Sequence, residues 1–307
     1  MARVGVLLVN YRQWELSRRC VESLLASEGV EVIPALVDND SPGPVPEWVG
    51  RTESLLFERS PSNEGLTAGN NRAFRMLQPL STDYTFILNN DTEVFPDTIR
   101  LLADHLQSRP DVGIAAPAIL YAERPDLVWS AGGDFIPWRM FVRQRHRQLS
   151  DLPEGPVPVD AASGCAMLLR TGELKRAGLQ DPGLFVYYED DDLWFRIRRM
   201  GLGVTLVPDS RVLHHVSVSM GGAMSPAAIY FTHRNRFVVA SRYLPMRQRI
   251  PFVLYYVAVT LCKTAVYPLR GRPELVGWMW KASLHGMRRI TGVVPEGLLH
   301  PKTGREG

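Results

Sequence analysis

In the first half of the chain, short apolar runs alternate with stretches in which apolar residues recur at helical spacing. The runs VGVLLVN, VEVIPALVD and YTFILNN occupy residues 4–10, 30–38 and 84–90, and the helical patterns occupy residues 14–27 and 65–78. Such apolar runs predict buried strands, and their alternation with helices is typical of an open α/β sheet. We therefore predict an α/β fold.

Polar residues stand at or just after the ends of three predicted strands. They are Asn10, Asp38 and Asp91. In open α/β sheets, ligands bind beyond the carboxyl ends of the strands. The sequence therefore predicts that these three side chains face one pocket.

The second half is less regular. It predicts a helix at 96–106, strands near 112–120 and 157–169, an acidic helix from residue 189 and a helix at 226–245. An apolar stretch follows at about 250–269, where a spanning helix would need roughly 20 apolar residues. Because Lys263 lies within it and prolines bound it, we favour an interfacial or buried helix over a spanning one.

Basic residues are concentrated at the carboxyl end. The net charge is only +3, but residues 231–307 carry 13 Lys plus Arg against 3 acids, which leaves −7 for residues 1–230. A basic end of this kind predicts contact with an anionic partner, either lipid or nucleic acid. Its arginines are interspersed with long apolar runs rather than arranged as an exposed stripe, and this favours lipid.

The composition is that of a soluble globular protein, with 45% apolar and 22% charged residues among 307, and the length predicts one or two domains. Cys20, Cys165 and Cys262 are scattered, which predicts buried thiols in a reducing compartment. The amino-terminal residues run directly into a strand pattern without the features of a signal peptide, so we expect a cytoplasmic protein.

Two segments of the first half carry candidate binding residues. Asp38 lies in LVDNDSPG and could accept hydrogen bonds from a ribose or a base, with Asp40 as a neighbouring candidate, although a plain turn is the alternative interpretation. In SPSNEGLTAGNNRA, glycines at a helix start allow close approach of a ligand. Neither a dinucleotide fingerprint nor a phosphate-binding P-loop motif occurs there.

Two acidic segments that could carry chemistry lie about a hundred residues apart. Asp91 follows a buried strand and is suited to hold Mg²⁺ or Mn²⁺ on a phosphate, with a polar strand cap as the alternative. Residues 189–192 read Glu-Asp-Asp-Asp at a helix start, where negative charge is favoured in any case. Their mutual repulsion can raise a pKa towards the range of a base, and Asp190 is our candidate.

Further candidates follow the acidic helix. His214 or His215 could complete a metal shell or contact a phosphate, although a core or surface histidine is the simpler interpretation. Arg234 and Arg236 could bind a pyrophosphate, with a solvated helix face as the alternative.

Taken together, these motifs resemble family 2 glycosyltransferases, especially the branch that contains bacterial rhamnosyltransferases. The resemblance covers about residues 4–243 and rests on motifs in the family's order. They are Val9-Asn10-Tyr11, Val37-Asp38-Asn39 with Ser41, Asn63-Glu64-Gly65 with Gly69-Asn70-Asn71, Leu88-Asn89-Asn90-Asp91, Tyr188-Glu189-Asp190 with Asp192-Leu193, His215, and Arg234-Asn235.

The resemblance implies a nucleotide-diphospho-sugar transferase fold of the GT-A type, with a mixed, mostly parallel sheet, and an inverting mechanism. It implies that Asp190 deprotonates the acceptor hydroxyl, that Glu189 and Asp192 contact acceptor or sugar, and that Asp91 and His215 hold Mg²⁺ or Mn²⁺. The residues implied in donor-nucleotide binding are Asn10, Tyr11, Asp38, Asp40, Asn63, Gly65, Asn70 and Asn90.

The sequence departs from the family pattern at one metal position, because Asn89 replaces the first Asp of the D-x-D motif. The Q-x-x-R-W sequence of processive synthases is absent, so we expect addition of one sugar or a few. We predict a catalytic domain at 1–225, with a nucleotide-binding half at 1–95 and an acceptor half at 96–225. A basic, apolar helical extension follows at 226–307.

The resulting hypothesis is an enzyme that transfers rhamnose or another hexose from a dTDP- or UDP-sugar to a glycan or lipid-linked acceptor. Residues 231–307 would hold it at the inner face of the cell membrane. One alternative is an inactive sugar-nucleotide-binding or scaffold protein of the same fold. Nucleic acid is not an expected partner.

Overall fold

The computed structural model describes residues 1–216 and 224–299. Residues 217–223 of the first predicted domain and 300–307 of the second lie outside the described residues. The strands, in chain order, are β1 Ala2–Asn10, β2 Val30–Asp38, β3 Leu56–Arg59, β4 Tyr84–Leu88, β5 Thr92–Val94, β6 Val112–Tyr121, β7 Val128–Ser130, β8 Gly133–Ile136, β9 Phe141–Gln144, β10 Val157–Val159, β11 Ala166–Arg170 and β12 Gly203–His214.

Helices are interspersed among the strands. They are α1 Trp14–Leu25, α2 Glu47–Arg51, α3 Gly65–Leu77, α4 Thr98–Ser108, α5 Thr171–Ala177, α6 Glu189–Arg199, α7 Pro226–Tyr243, α8 Met246–Leu269 and α9 Glu274–Met287.

The main sheet has the strand order β10-β12-β6-β11-β4-β1-β2-β3, with β5 and β7 paired at its side. Strands β4, β1, β2 and β3 run parallel, as do β6 and β12, whereas β11 and β10 are antiparallel to their neighbours. The prediction of a single strand across 157–169 is wrong. Residues 157–159 form β10 beside β12, and the chain then crosses to a different place in the sheet as β11.

The core has two layers because alternate residues of each strand point to opposite faces of the sheet. On one face, Val6 and Leu8 of β1 pack in the cluster that contains α1 and α4 side chains such as Leu24 and Leu102. On the other face, Leu7 packs in the cluster that contains α3 and α6 side chains. Because helices cover both faces of the sheet, a ligand site is expected at the strand ends.

The chain forms two compact units. Among the described residues, the first unit comprises 1–135, 142–181 and 189–216, and the second comprises 136–141, 182–188 and 224–299. The first contains the main sheet, and the second contains α7, α8 and α9. The predicted domain boundary at residue 225 stays a prediction.

In the second unit, α8 is a long helix with a largely exposed apolar surface. It is the one helix of the described residues that is long and apolar enough to cross a membrane, with a mean hydropathy of 1.5, and 22% of its apolar window is buried. Ile250, Leu254 and Leu261 are 63%, 67% and 56% exposed. Cys262, which follows Leu261 in α8, is also exposed, so the prediction that all three thiols are buried is wrong for it.

Candidate active site

A buried hydrogen-bond network centred on Asn10 joins the polar ends of β1, β2 and β4. Asn10 Nδ2 donates to Asp38 Oδ1 at 2.8 Å and to Ser41 Oγ at 3.1 Å. Ser17 Oγ donates to Asn10 Oδ1 at 2.9 Å and accepts a 2.8 Å hydrogen bond from Asn90 Nδ2. Polar residues from three strand ends are therefore linked through direct hydrogen bonds.

Asp38 lies at the bottom of this network with its side chain fully buried. Its Oδ2 is 3.2 Å from Nε of Arg59 and accepts a hydrogen bond from the Ser41 amide. A buried carboxylate requires such partners, because an unpaired buried charge is costly. In this conformation a nucleotide reaches Asp38 only if a partner moves, whereas the side chain of Arg59 is 35% exposed and can reach a ligand directly.

Two other predicted donor-binding residues lie nearer to solvent. Asp40 is exposed and has a left-handed backbone with φ of 64°. Tyr11 is partly exposed, and the guanidinium of Arg12 lies 4.8 Å from its ring centroid. Both side chains are accessible for contact with a base or ribose.

The turn ahead of α3 is fixed by a pair of asparagines. Asn39 Nδ2 donates to Asn63 Oδ1 at 2.8 Å, and the backbone N–H of Gly65 donates to the same oxygen at 3.1 Å. Gly65 has a φ of 87°, which favours glycine at this position. Two of the predicted donor-binding residues, Asn63 and Gly65, thus shape the loop between β3 and α3.

Asn70 is buried inside α3 and faces a distant part of the first unit. Its Nδ2 donates to Gln180 Oε1 at 2.8 Å. The next residue, Asn71, donates to the Gln180 carbonyl oxygen at 2.7 Å and accepts from its N–H. These bonds fasten residue 180, nine residues before α6, to α3.

The carboxylate of Asp91 lies beside His214, whereas the resemblance implied His215 as the metal ligand. His214 Nε2 is 3.3 Å from Asp91 Oδ1, and both side chains are buried. The ring of Trp129 packs edge-on against His214 with centroids 4.4 Å apart. This aromatic contact fixes the imidazole against the carboxylate.

His215, the predicted metal ligand, has another partner. Its Nε2 is 2.7 Å from Glu93 Oε1, and Arg19 Nε is 3.2 Å from the same oxygen. The backbone N–H of His215 donates to the carbonyl oxygen of Asp91. Its backbone therefore lies beside Asp91 while its side chain pairs with Glu93.

Asp91 and His214 together fit a divalent cation that takes its remaining ligands from a substrate. Within residues 1–216 and 224–299, no three His, Cys, Asp or Glu side chains form a metal cluster. Nδ1 of His214 is buried and has no hydrogen-bond partner. Mg²⁺ and Mn²⁺ accept a carboxylate, Mn²⁺ also accepts imidazole, and both are commonly completed by phosphate oxygens and water.

The acidic helix α6 places Asp190 against the backbone ahead of β11. Gly164 N–H donates to Asp190 Oδ2 at 2.9 Å, and the N–H of Asp191 donates to Oδ1 at 2.9 Å. The side chain remains partly exposed. A carboxylate held by two backbone donors, yet open on one side, can accept a proton from a bound hydroxyl group.

Asp91 and Asp190, the two predicted acidic residues of the site, both lie near Cys165. Its carbonyl oxygen accepts a 2.8 Å hydrogen bond from the Asn89 N–H, two residues before Asp91, and its neighbour Gly164 holds Asp190. Burial raises the pKa of the Cys165 thiol well above its ordinary value, and the charges of Asp91 and Asp190 both raise it further. Both carboxylates are therefore close enough to act electrostatically on one buried sulfur.

The neighbours of Asp190 in α6 differ in their environments. Burial, and secondarily the charge of Asp190, raises the pKa of Glu189 to about 8, and its Oε2 is buried without a hydrogen-bond partner. The same two causes raise the pKa of Asp191 well above its ordinary value. Asp192 is buried and pairs with Arg196 at 2.9 Å, which is a structural contact within the helix.

In the second unit, the Arg234-Asn235 pair holds the loop formed by residues 182–188. Arg234 is fully buried and donates to the carbonyl oxygens of Gly183 and Leu184, so the interpretation of a solvated helix face is wrong for it. Asn235 Nδ2 lies 2.8 Å from three carbonyl oxygens of the loop, those of Leu184, Val186 and Tyr187.

This loop needs side-chain donors because its backbone is irregular. Phe185, Tyr187 and Tyr188 have left-handed φ values of 68°, 65° and 67°. Carbonyl groups in such a segment cannot all join a helix or sheet, and buried ones require partners. The side chains of Arg234 and Asn235 supply them.

Sequence reasoning missed several participants in the site. Ser17, Gly164 and Cys165 carried no motif signal, since their contacts depend on where β11 and α1 lie in the fold. His214 was considered, but its adjacency to His215 hid which imidazole faces Asp91. Adjacent residues of a strand point to opposite faces of the sheet. The alternation of buried and exposed positions along β12 could therefore have indicated which of the two histidines faces Asp91.

Several relatives are similar to this chain over most of its length. A low-salt glycan biosynthesis hexosyltransferase, Agl10, from Haloferax volcanii is 23% identical over 94% of this chain and 92% of its own length. An N-acetylglucosaminyl-diphospho-decaprenol L-rhamnosyltransferase from Mycobacterium tuberculosis is 27% identical over 70% of this chain and 77% of its own. The dTDP-rhamnosyl transferase RfbF of Shigella flexneri is 22% identical over 75% of this chain.

Solved glycosyltransferase structures share the fold. GalNAc-T7 with UDP, GalNAc and Mn²⁺ superposes with a TM-score of 0.62 at 17% identity, covering 94% of this chain and 56% of that protein. The mannosyltransferase PcManGT from Pyrobaculum calidifontis, with GDP-Man and Mn²⁺, gives 0.55 at 16% identity, covering 93% and 87%. The GT-A fold predicted from the sequence is therefore confirmed.

A family model also matches directly. The model described as "Glycosyltransferase like family 2" covers residues 2–239, which include the strand-end network, Asp91, the acidic helix and the Arg234-Asn235 pair. The predicted resemblance and the predicted class of enzyme are both confirmed. The chain belongs to glycosyltransferase family 2 and is a rhamnosyltransferase-like glycosyltransferase.

Proposed function

We propose that this enzyme transfers rhamnose or another hexose, with inversion, from a dTDP- or UDP-sugar to a lipid-linked glycan acceptor in cell-surface polysaccharide synthesis. The observation that carries the proposal is the approach of Asp190 and Asp91 around Gly164 and Cys165. An inverting transfer requires a base for the acceptor and a separate stabiliser for the departing diphosphate, and these two carboxylates can divide those tasks.

In this mechanism, Asp190 acts on the acceptor. Its Oδ atoms, oriented by the amides of Gly164 and Asp191, accept the proton of the acceptor hydroxyl as the oxygen attacks the anomeric carbon. The bond from that carbon to the diphosphate oxygen breaks on the opposite face, which inverts the configuration. The proton remains on Asp190, and the electron pair leaves with the nucleoside diphosphate.

The donor would be held at the strand ends. Asp91, with His214, would hold Mg²⁺ or Mn²⁺, which supplies charge neutralisation for the departing diphosphate. Arg59 and the exposed Asp40 and Tyr11 would contact the nucleotide, with Asn10, Asp38, Asn63, Gly65, Asn70 and Asn90 fixing the pocket's shape. Solved neighbours that contain Mn²⁺ together with a nucleotide or nucleotide sugar support this assignment.

A protonated Glu189 would complement the base. Because its pKa lies near 8, the side chain is largely neutral at pH 7 and can donate a hydrogen bond to a sugar or acceptor oxygen. Asp192, which pairs with Arg196, would act on the acceptor side only by holding α6 in place. This division gives adjacent carboxyl groups different roles according to their environments.

We also propose that α8 and α9 hold the enzyme on the inner face of an anionic membrane. Ile250, Leu254, Val257 and Leu261 recur at helical spacing and are all exposed. The exposed Arg247 and Arg270 lie near the two ends of α8, where they can pair with anionic headgroups. The relative whose name specifies a diphospho-decaprenol substrate supports a lipid-linked acceptor.

Catalysis is tested by nucleoside diphosphate release from a panel of dTDP-, UDP- and GDP-sugars, with Mg²⁺, Mn²⁺ or chelator and a membrane extract as acceptor. We expect release from one donor that Asp190→Asn lowers by at least about a hundredfold. Asp209→Asn, at an exposed aspartate of β12, is the matched control. Full release by Asp190→Asn contradicts the assigned base, and donor binding without release indicates the inactive scaffold.

Membrane contact is tested separately by sedimentation with anionic vesicles at low salt. We expect Leu254→Asp with Leu261→Asp to abolish sedimentation, because each change places a charge on the apolar face. Leu25→Asp, at an exposed leucine of α1, is the control and should sediment like the unmodified protein. Equal sedimentation of all forms contradicts the assigned surface.

A further inference from the structure

A cluster of two arginines and two aromatic residues lies within the second unit. We call it the arginine–tyrosine cluster, and its members are Trp138, Arg139, Arg236 and Tyr255. The guanidinium carbons of Arg139 and Arg236 lie 5.5 and 5.4 Å from the Tyr255 ring centroid. The rings of Trp138 and Tyr255 meet edge-on at 5.0 Å, and an Nη2 of Arg236 donates to the Arg139 carbonyl oxygen.

This cluster has no counter-charge among the described residues. Neither Arg139 nor Arg236 forms an ion pair with any carboxylate in residues 1–216 and 224–299, whereas arginines of the first unit such as Arg59 and Arg196 do. The Nε atoms of both arginines are buried without a hydrogen-bond acceptor. Two neighbouring cations without a counter-charge are costly, and an anion bound at their exposed N–H groups would relieve that cost.

The titratable groups around Arg236 do not supply the missing negative charge. Arg236 also acts on Lys263, whose pKa burial lowers and the charge of Arg236 lowers further. His233, 3.3 Å from Lys263 Nζ, is neutral because burial and these two cations lower its pKa to about 3. Burial raises the pKa of Tyr255, but hydrogen bonds from both arginines outweigh it and leave the pKa below its ordinary value.

The donor geometry favours a phosphate-type anion. Guanidinium groups present planar pairs of N–H donors that match phosphate oxygens, and two such groups match a diphosphate better than a single carboxylate. Arg139, Arg236 and Tyr255 are each partly exposed, and Trp138 is 45% exposed, so the cluster is open to solvent. The exposed ring of Trp138 can also contact an apolar chain of the ligand.

The position of Tyr255 identifies the source of the anion. It lies in α8 between Leu254 and Val257, which are 67% and 48% exposed on the apolar face. A diphosphate attached to a lipid would reach the cluster while its hydrocarbon chain remains at that face. A soluble nucleotide would gain nothing from the adjacent apolar surface.

We propose that the arginine–tyrosine cluster binds the diphosphate of the lipid-linked acceptor. This inference rests on the proposed function and specifies where the acceptor's anionic group binds. A diphosphate could also come from the nucleotide donor, so the experiment has separate arms for the two sources.

The test measures binding of the full-length protein to phosphatidylcholine vesicles with and without a long-chain polyprenyl diphosphate, and to UDP and dTDP in solution. We expect the polyprenyl diphosphate to strengthen vesicle binding at least about tenfold, and Arg139→Gln or Arg236→Gln to remove that gain. Nucleotide binding should remain unchanged. Arg211→Gln, at an exposed arginine of β12, is the control and should keep the gain.

Tyr255→Phe and Arg236→Lys guard against loss of folding in the glutamine variants. Both retain the packing, and we expect each to keep part of the gain, since a lysine preserves charge but not the paired donors. The proposal is overturned if all four variants bind polyprenyl diphosphate vesicles like the unmodified protein. It is also overturned if Arg236→Gln weakens nucleotide binding equally, which would assign the cluster to the donor.

The same experiments distinguish failure of this inference from failure of the proposed transfer reaction. If vesicles containing phosphatidylserine and vesicles containing the polyprenyl diphosphate give the same arginine-independent gain, the cluster has no diphosphate preference and this inference falls alone. If the arginine-dependent gain is present but no sugar nucleotide is ever turned over, the binding site stands and the transfer reaction falls.

Discussion

The backbone N–H of Gly164 donates a 2.9 Å hydrogen bond to Oδ2 of Asp190. No side chain stands between them, because a Cβ on residue 164 would lie 3.0 Å from the Cβ of Asp190 and 3.5 Å from its carboxylate. Glycine at this position therefore permits the close approach that orients the proposed base. Through this hydrogen bond, Gly164 would act as a positioning residue in the proposed reaction.

Replacement of Gly164 by alanine should lower kcat with little effect on the KM for the donor. The new methyl group displaces the Asp190 carboxylate by a few tenths of an ångström and weakens its hydrogen bond, and misplacement of a catalytic group costs about tenfold or more in rate. Gly155→Ala, where a Cβ would meet nothing within 4 Å, is the control. Steady-state kinetics that show equal kcat for both variants would contradict this role.

The two adjacent histidines should respond differently to metal. His214 faces Asp91 at 3.3 Å, whereas His215 faces Glu93 at 2.7 Å. We expect His214→Ala to raise the Mn²⁺ concentration needed for half-maximal activity by about tenfold or more, and His215→Ala to change it far less. Activity measured during a Mn²⁺ titration of chelator-treated enzyme distinguishes them. The reverse order would support the ligand predicted from the sequence.

Asn235 should stabilise the irregular loop that precedes the acidic helix. Its side-chain amide lies 2.8 Å from three loop carbonyl oxygens, so Asn235→Ala leaves buried acceptors unsatisfied and should cost about 1–3 kcal/mol in the free energy of unfolding. Urea denaturation measures this loss. Because residue 188 is joined to Glu189, we also expect lower kcat.

Asn71→Ala provides the comparison, since Asn71 also bonds backbone but holds residue 180 instead of the loop. Loss of stability without loss of kcat in this variant would separate a general weakening of the fold from the loop's own effect. An Asn235→Ala variant as stable as the unmodified protein would contradict the structural role.

The sequence predicted strands β1, β2 and β4 well because they are continuous apolar runs. A polar residue stands at or just after the end of each of β1, β2 and β4. Because these strands are parallel neighbours in the sheet, their ends lie side by side. The same reasoning failed at 157–169, where an apolar pattern continues through two strands that lie in different places. Periodicity indicates that a segment is extended but not which neighbour it joins.

The candidate site was predictable where a residue acts through its own side chain and unpredictable where it acts through backbone. Asp91 and Asp190 could be identified from the sequence because they are carboxylates at a strand end and at a helix start. Gly164 and Cys165 contribute an N–H and a carbonyl group, which every such residue possesses, and only the course of β11 brings those groups to the site.

The buried Glu189 predicts how stability should depend on pH. Its pKa is raised from 4.5 to about 8, so between those values the folded protein binds more protons than the unfolded chain and its free energy of unfolding falls as pH rises. Glu189→Gln cannot titrate and should gain stability relative to the unmodified protein over that window, by about 1 kcal/mol or more at the upper end. Urea denaturation of both proteins at the two ends of the window measures the difference, and parallel pH profiles would show that Glu189 is ionised in the folded state. The same variant also tests the proposed chemistry, because glutamine can still donate a hydrogen bond: transfer at pH 7 should persist in Glu189→Gln while Asp190→Asn abolishes it.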